Sequence, residues 1–303
     1  MSTHIVSTTD LFYDYSKGVT TLHGIDLHVN RGDIYGFLGP NGSGKTTTLS
    51  LLLGLLKNQK GKIEFFGKEF TDNREDILRK VGSLIESPSL YGHLSARENL
   101  EVYREIYRAT KERVEEVLSL VGLSDTGSKQ ARKFSLGMKQ RLSIALALLP
   151  RPRLMILDEP TNGLDPSGII ELRTLIRDLN KEEDITFIIS SHILSEVEKI
   201  VNRVGIIYKG RMVFQGKIDD LYQLQRRKTR VILQTSDNDR AMALIGQLNP
   251  ERSDEYVSFN FNDLQQVADV NKFLVDCKID VFSISTEKQT LEQLFINLTS
   301  ETV

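Results

Sequence analysis

A glycine-rich stretch near the N-terminus limits what this chain can fold into. It fits the phosphate-binding pattern G-x-x-x-x-G-K-[ST] and reads Gly39-Pro40-Asn41-Gly42-Ser43-Gly44-Lys45-Thr46-Thr47. The apolar run before it, at 34–38, predicts a buried strand, and the run of helix formers after it, at 47–56, predicts a helix. This order of strand, loop and helix turns backbone N–H groups and a helix N-terminus toward a polyphosphate. The sequence therefore predicts a nucleotide site in an α/β fold.

Two side chains of this loop have specific expected partners. Lys45 is expected to pair with the β- and γ-phosphates, and the Thr46 hydroxyl is expected to hold Mg²⁺. The glycines allow the backbone to approach the phosphates more closely than a Cβ atom would permit. All nine residues of the loop are therefore expected to line the nucleotide.

Two further buried strands end in residues with suitable chemistry. The apolar run 154–157 is followed by Asp158 and Glu159, and the run 185–189 is followed by two serines and His192. Asp158 is expected to hold Mg²⁺ beside Thr46, and Glu159 to act as general base for an attacking water. His192 is placed to donate to a γ-phosphate. The alternative for the two acids is a solvated strand end.

Two weaker signals leave alternatives open. Ser135 is placed to cap the helix that follows it and, with the adjacent N–H groups, could bind an anion, although serine caps are common. Tyr15 precedes a turn between two predicted antiparallel strands within 5–29. Its ring could stack on an adenine, or it could be an ordinary half-buried strand tyrosine.

Length and composition predict two domains in a reducing compartment. A chain of 303 residues can form two cores, and the pattern restarts after a basic joint at 226–228 as a small α+β arrangement. We therefore expect domains at 1–216 and 217–303. Net charge of −2 gives no support for nucleic-acid binding, and the single cysteine, Cys277, excludes an internal disulfide. Without a signal peptide or a run long enough to span a bilayer, we expect a cytoplasmic protein.

Residues 5 to about 216 resemble the ATP-binding cassette (ABC) family. The phosphate loop, the segment 134–140 at the position of the family's signature sequence, the strand 154–159, the turn 163–165 and His192 occur in the family's order and approximate spacing. The resemblance implies a P-loop NTPase fold with a mixed-sheet core, an antiparallel β subdomain and a helical subdomain at about 87–140. The small C-terminal α+β domain lies outside the resemblance.

The resemblance also implies roles for individual residues. ATP with Mg²⁺ is the expected cofactor. Tyr15 would stack on the adenine, Glu159 would be the catalytic base and His192 would contact the γ-phosphate. Ser135 and Gly137 would reach the γ-phosphate bound to a second copy of the cassette, and Asp165 would lie at the interface between the copies. The helical subdomain would meet an integral membrane permease, which would hold this subunit at the inner face of the cell membrane.

Two departures from the family pattern point to one branch. The signature Ser-Gly-Gly-Gln is replaced by Ser135-Leu136-Gly137-Met138, and Glu86 stands where the family usually has glutamine. The residues at both positions, and the segment 290–295, are similar to those of the exporters of bacitracin resistance and lantibiotic immunity. Glu86 is expected to ligate Mg²⁺ in place of the glutamine.

Three function classes compete at this point. The leading one is an ATPase subunit that drives a separate membrane exporter. A second class is a non-transport cassette that acts on the ribosome or DNA, but such proteins usually carry two cassettes or a long insertion, and this chain carries neither. A third class, a nucleotide-gated scaffold without turnover, has no need of the base Glu159 or of His192.

Overall fold

The computed structural model describes residues 4–16, 18–85, 90–227, 229–253 and 255–287. The chain forms two compact units, Met1–Lys217 and Ile218–Val303. Each unit has its own cluster of buried apolar side chains. Within the described ranges, no helix is both long enough and apolar enough to cross a membrane.

The first unit combines two sheets with helices. Its strands are β1 (His4–Ser16), β2 (Val19–Ile25), β3 (His28–Asn30), β4 (Ile34–Leu38), β5 (Lys60–Phe65), β6 (Lys68–Glu69), β7 (Val81–Leu84), β8 (Leu154–Leu157), β9 (Thr186–Ser191), β10 (Arg203–Tyr208) and β11 (Arg211–Lys217). Its helices are α1 (Lys45–Leu52), α2 (Phe70–Leu78), α3 (Ala96–Tyr107), α4 (Lys111–Leu120), α5 (Leu136–Leu148), α6 (Pro166–Glu182) and α7 (Leu194–Val197).

A six-stranded mixed sheet positions the ends of three buried strands side by side. Its order is β11-β10-β4-β9-β8-β7, with β11 antiparallel to β10 and every other neighbouring pair parallel. Every residue of β4, β8 and β9 is buried, as expected for parallel strands covered on both faces. Because these strands are parallel, the residues that follow β4, β8 and β9 meet at one edge of the sheet.

The segment that the sequence predicts as two antiparallel strands forms three strands of the antiparallel sheet. The order of this sheet is β2-β1-β5-β6, and β3 also pairs with β1. Residues 5–29 were expected to form two strands, but the second breaks at residues 26–27. There, the Thr8 hydroxyl donates to Ile25 O at 2.6 Å and accepts from Leu27 N at 2.9 Å. This side chain replaces the ladder bonds that the break removes.

The sequence Ser95-Ala96-Arg97-Glu98 fits an S-x-x-E capping box and predicts the start of a long helical stretch. Ser95 accepts from Glu98 N, and the Glu98 carboxylate accepts from Ser95 N, so the box is confirmed. The long helical stretch predicted beyond it is two helices. Arg108, at a φ of 52°, ends α3, and Thr110 caps α4 by accepting from Arg113 N. The left-handed residue redirects the chain, which the apolar periodicity alone did not indicate.

The second unit is a four-stranded antiparallel sheet with helices. Its order is β13-β14-β12-β15. Apolar periodicity predicts helices at 264–276 and 291–298. The first has those bounds, whereas the second lies outside the described residues. The elements are α8 (Ile218–Arg227), β12 (Arg230–Thr235), α9 (Asn238–Leu244), β13 (Glu251–Arg252), β14 (Val257–Asn260), α10 (Leu264–Asp276) and β15 (Val281–Glu287).

A half-buried histidine in the first unit is expected to make its stability depend on pH. The His28 ring stacks on that of His4 with centroids 5.0 Å apart, and its Nδ1 is buried without a hydrogen-bond partner among the described residues. Burial is the main cause that lowers the pKa of His28 below the usual 6.5. His4 and Arg203 lower this pKa further, and Asp26 opposes them.

We expect the stabilising contribution of His28 to be complete above about pH 6.5 and to fall as the pH drops through its lowered folded-state pKa. At pH values between the folded-state pKa and about 6.5, the unfolded chain binds the proton more readily than the folded chain. Denaturant unfolding at about pH 7.5 and about pH 5 should therefore show a smaller loss of stability in His28→Gln than in the wild type. His93→Gln, at an exposed histidine, is the control. Equal losses in His28→Gln and the wild type would contradict the expectation.

Candidate nucleotide-binding and hydrolysis site

The glycine-rich loop connects β4 to α1 and leaves N–H groups available. The first helical hydrogen bond runs from Thr48 N to Gly44 O at 2.9 Å, so the N–H groups of residues 44–47 precede the helical ladder. Together with the positive end of the helix dipole, these groups form an anion site. A Cβ atom on Gly39 would lie 2.4 Å from Ile207 O, and Gly44 has a φ of 109°. The loop path therefore requires glycine at both positions.

Lys45 lies at the base of the loop and is 5% exposed. Its Nζ donates to Gly39 O at 2.7 Å and to Pro40 O at 3.4 Å, and it lies 3.2 Å from Glu159 Oε1. Nearby, Ser43 Oγ is buried and has no hydrogen-bond partner among the described residues. A buried ammonium and an unpartnered hydroxyl next to free N–H groups fit the oxygens of a polyphosphate.

Thr46, in the first turn of α1, and Asp158, directly after β8, form a hydroxyl–carboxylate pair. Thr46 Oγ1 donates to Asp158 Oδ2 at 2.8 Å. Asp158 follows β8, and its N–H donates to Leu84 O at 2.8 Å, at the end of β7. Hydroxyl and carboxylate oxygens are ligands that Mg²⁺ accepts, so this pair fits the cation of a nucleotide.

Glu159 bridges the lysine and the histidine. Its Oε2 lies 2.8 Å from His192 Nδ1, and its Oε1 is the atom 3.2 Å from Lys45 Nζ. Glu159 has a φ of 47°, which is uncommon outside glycine. The turn places the carboxylate beside the phosphate loop, where it can accept a proton from a water.

Sequence reasoning missed Ser190, which organises both acids. This residue is fully buried in β9, the parallel neighbour of β8. Its Oγ accepts from Glu159 N at 2.8 Å and donates to Asp158 Oδ1. One hydroxyl thus fixes the backbone of the expected base and the second oxygen of the expected metal ligand. The available signal was a polar residue at the end of an otherwise apolar run.

Tyr15 and the tip of the phosphate loop lie at the exposed side of the site. Tyr15 is 62% exposed, and its hydroxyl lies 3.2 Å from Thr47 Oγ1 in the first turn of α1. Its ring packs edge-on against Tyr13, with centroids 5.0 Å apart. Asn41 and Gly42 are exposed as well. An exposed aromatic ring next to the loop fits a stacking surface for a base.

Ser135, Gly137 and Asp165 line a separate cavity of about 590 Å³. Ser135 caps α5 by accepting from Met138 N at 3.2 Å, and Asp165 caps α6 by accepting from Gly168 N at 3.1 Å. No residue of the phosphate loop is among the described residues that line this cavity. The structure thus places Thr46, Asp158, Glu159 and His192 near Lys45. Ser135, Gly137 and Asp165 lie at the separate cavity. Glu86 lies outside the described residues.

Similarity to known proteins decides the family. A family profile described as ABC transporter matches residues 22–162. Over 303 residues, which cover 98% of both proteins, the chain is 46% identical to the bacitracin transport ATP-binding protein BcrA of Bacillus licheniformis. This chain belongs to the ABC transporter ATPase family.

Two further similarities support this assignment of the ABC ATPase. The lantibiotic transport ATP-binding protein SrtF of Streptococcus pyogenes is 43% identical over 214 residues, which are 71% of this chain and 92% of SrtF. The solved structure of CbiO1 from Clostridium perfringens, part of the ABC transporter complex CbiONQ, has a TM-score of 0.69 at 29% identity. That match covers 73% of this chain and 92% of CbiO1. The expected fold and the bacitracin and lantibiotic branch are confirmed.

As a member of this family, the ABC ATPase binds and hydrolyses ATP as a subunit of a transporter. Hydrogen bonds and an ion pair connect Lys45, Thr46, Asp158, Glu159 and His192 through Ser190 beside the phosphate loop. The non-transport alternative, a cassette acting on the ribosome or DNA, is not favoured.

Proposed function

We propose that this ABC ATPase hydrolyses Mg²⁺-ATP to drive export of peptide antibiotics by a separate membrane permease. A continuous chain of contacts supports the hydrolytic part of this proposal. It runs from Thr46 to Asp158 and through Ser190 to Glu159, which contacts both Lys45 and His192. The class of cargo is supported by relatives named for bacitracin and lantibiotic transport.

The proposed chemistry assigns one task to each group. Lys45 and the loop N–H groups neutralise the phosphate charge, and Thr46 and Asp158 hold Mg²⁺. Glu159 takes a proton from water as the water oxygen bonds to the γ-phosphorus and the bond to the β–γ bridging oxygen breaks. His192 holds the Glu159 carboxylate in place and faces the γ-phosphate. Glu86 remains a proposed additional ligand of Mg²⁺.

A second copy of the cassette is proposed to complete the site. Ser135 lies at an α5 N-terminus, which favours an anion, yet its cavity contains no residue of its own phosphate loop among the described residues. Head-to-tail pairing under two-fold symmetry would bring Ser135 and Gly137 of one copy to the γ-phosphate on the other. Asp165, at the rim of the same cavity, would then lie at the interface.

The proposed transport partner is an integral membrane permease. The helical region around α3 and α4 would meet it, and this contact would hold the ABC ATPase at the cytoplasmic face of the membrane. We propose no nucleic-acid partner, since the net charge is −2.

Deletion of the gene in its own host should lower the concentration of bacitracin or of a lantibiotic that stops growth. The wild-type gene should restore resistance, whereas Glu159→Gln, which lacks the base, should not. A matched control is Glu64→Gln, at an exposed glutamate on β5, which should restore resistance like the wild type. Unchanged susceptibility to both antibiotic classes after deletion would contradict the proposed cargo and leave the ATPase assignment intact.

A further inference from the structure

A buried threonine lies between the expected base and Asp165. Thr161 is 4% exposed and sits in a tight turn, in which Asn162 N donates to Glu159 O at 3.0 Å and Leu164 N donates to Thr161 O at 3.1 Å. The Thr161 hydroxyl donates to the Glu196 carboxylate. The hydrolytic chemistry described above uses neither side chain.

Glu196 belongs to α7, the short helix that begins two residues after His192. Arg173 of α6 also bonds to this helix, at Glu196 and at the residue before it. Its Nε donates to Glu196 O at 2.5 Å, and its Nη2 donates to Ser195 O at 2.8 Å. A guanidinium with two parallel donors fixes both the position and the orientation of the two carbonyl groups.

These contacts join the two segments that carry the hydrolytic groups. One segment runs from Glu159 to Asp165, and the other runs from His192 to Glu196. The segments meet where His192 Nδ1 lies 2.8 Å from Glu159 Oε2 and where the Thr161 hydroxyl donates to Glu196. The bonds from Arg173 to Ser195 O and Glu196 O tie the second segment to α6, and Asp165 of the first segment caps the same helix.

We propose that Thr161, Glu196 and Arg173 are positioning residues that hold His192 against Glu159 for ATP hydrolysis. A shift of the Asp165 turn or of α6 would reach His192 through Arg173 and α7. The proposal rests on the proposed ATPase function. The contacts of Thr161, Glu196 and Arg173 lie within one chain and need no second copy.

The test compares Thr161→Val, which removes the hydroxyl at nearly constant volume, with Thr161→Ser, which keeps it. Thr161→Val should lower kcat by about tenfold and leave the KM for ATP within about twofold, because a misplaced catalytic group costs rate rather than binding. Thr161→Ser should restore kcat. In ¹⁵N-histidine spectra, assigned with His192→Gln, Thr161→Val should move the imidazole nitrogen signals of His192, and Thr161→Ser should leave them near their wild-type positions.

Thr8→Val is the control for loss of a buried hydroxyl, since Thr8 is 1% exposed and bonded on both sides within the antiparallel sheet. It should lower the melting temperature without changing kcat or the His192 signals. Thr161→Val and Glu196→Ala should not add when combined, because each breaks the same contact.

Unmoved His192 signals in Thr161→Val would overturn the proposal, as would equal losses of kcat in the valine and serine variants. The spectra require no turnover. If the ATPase assignment is wrong, the wild type will not hydrolyse ATP. If only the positioning role of Thr161 is wrong, the wild type will hydrolyse ATP and Thr161→Val will leave the His192 signals unmoved.

Discussion

Replacing Lys45 with alanine is expected to reduce ATP turnover by about a hundredfold or more, the effect of removing one well-placed donor from a developing charge. The Lys45 ammonium is buried at the base of the loop, within reach of Gly39 O, Pro40 O and Glu159 Oε1. Phosphate release at saturating ATP gives the turnover, and circular dichroism shows whether the variant remains folded.

The matched control is Lys57→Ala, at an exposed lysine after α1, which should turn over ATP like the wild type. Loss of Lys45 also leaves Glu159 Oε1 without its cation, so a lower melting temperature is expected. A folded Lys45→Ala variant with wild-type turnover would show that the loop is not the working phosphate site.

Glu159→Gln is expected to slow hydrolysis by about 10²- to 10⁴-fold and to make the protein dimeric in Mg²⁺-ATP. The amide removes the base but preserves the shape, so ATP stays intact and continues to hold two copies together. Size-exclusion chromatography with light scattering measures the mass with and without ATP. The variant should be monomeric without nucleotide and dimeric with it.

Adding Ser135→Arg to Glu159→Gln is expected to prevent this dimer. The long side chain would occupy the cavity of Ser135 and Gly137, where the phosphate of the second copy is proposed to fit. Because Ser135 also caps α5, the change should cost about 1 kcal/mol of stability, which thermal unfolding would detect.

Ser119→Arg in the same background is the control, since Ser119 is exposed on α4 and does not line that cavity. This variant should dimerise with ATP. If the Ser135→Arg double variant dimerises equally well, the shared site is wrong for this protein. A Glu159→Gln variant that stays monomeric in ATP would contradict it as well.

Features that depend on neighbours in the chain could be predicted from the sequence. The phosphate loop, the apolar strands before Asp158 and after Asp184, and the caps at Ser95 and Ser135 all follow from residue types at fixed short spacing. Local backbone geometry determines each of them, so no knowledge of distant residues is needed. The family and its branch also followed from motifs in register along the chain.

Features that depend on which elements become neighbours required the tertiary structure. Ser190 meets Asp158 and Glu159 only because β9 pairs with β8 in the sheet. Thr161 meets Glu196 only because α7 packs beside the turn after Glu159, and the strand break at residues 26–27 depends on Thr8 of another strand. The sequence by itself determined the chemical groups that can bind and hydrolyse a nucleotide. The strand order decided which side chains hold those groups in place, because contacts between distant segments leave no periodic pattern in the chain.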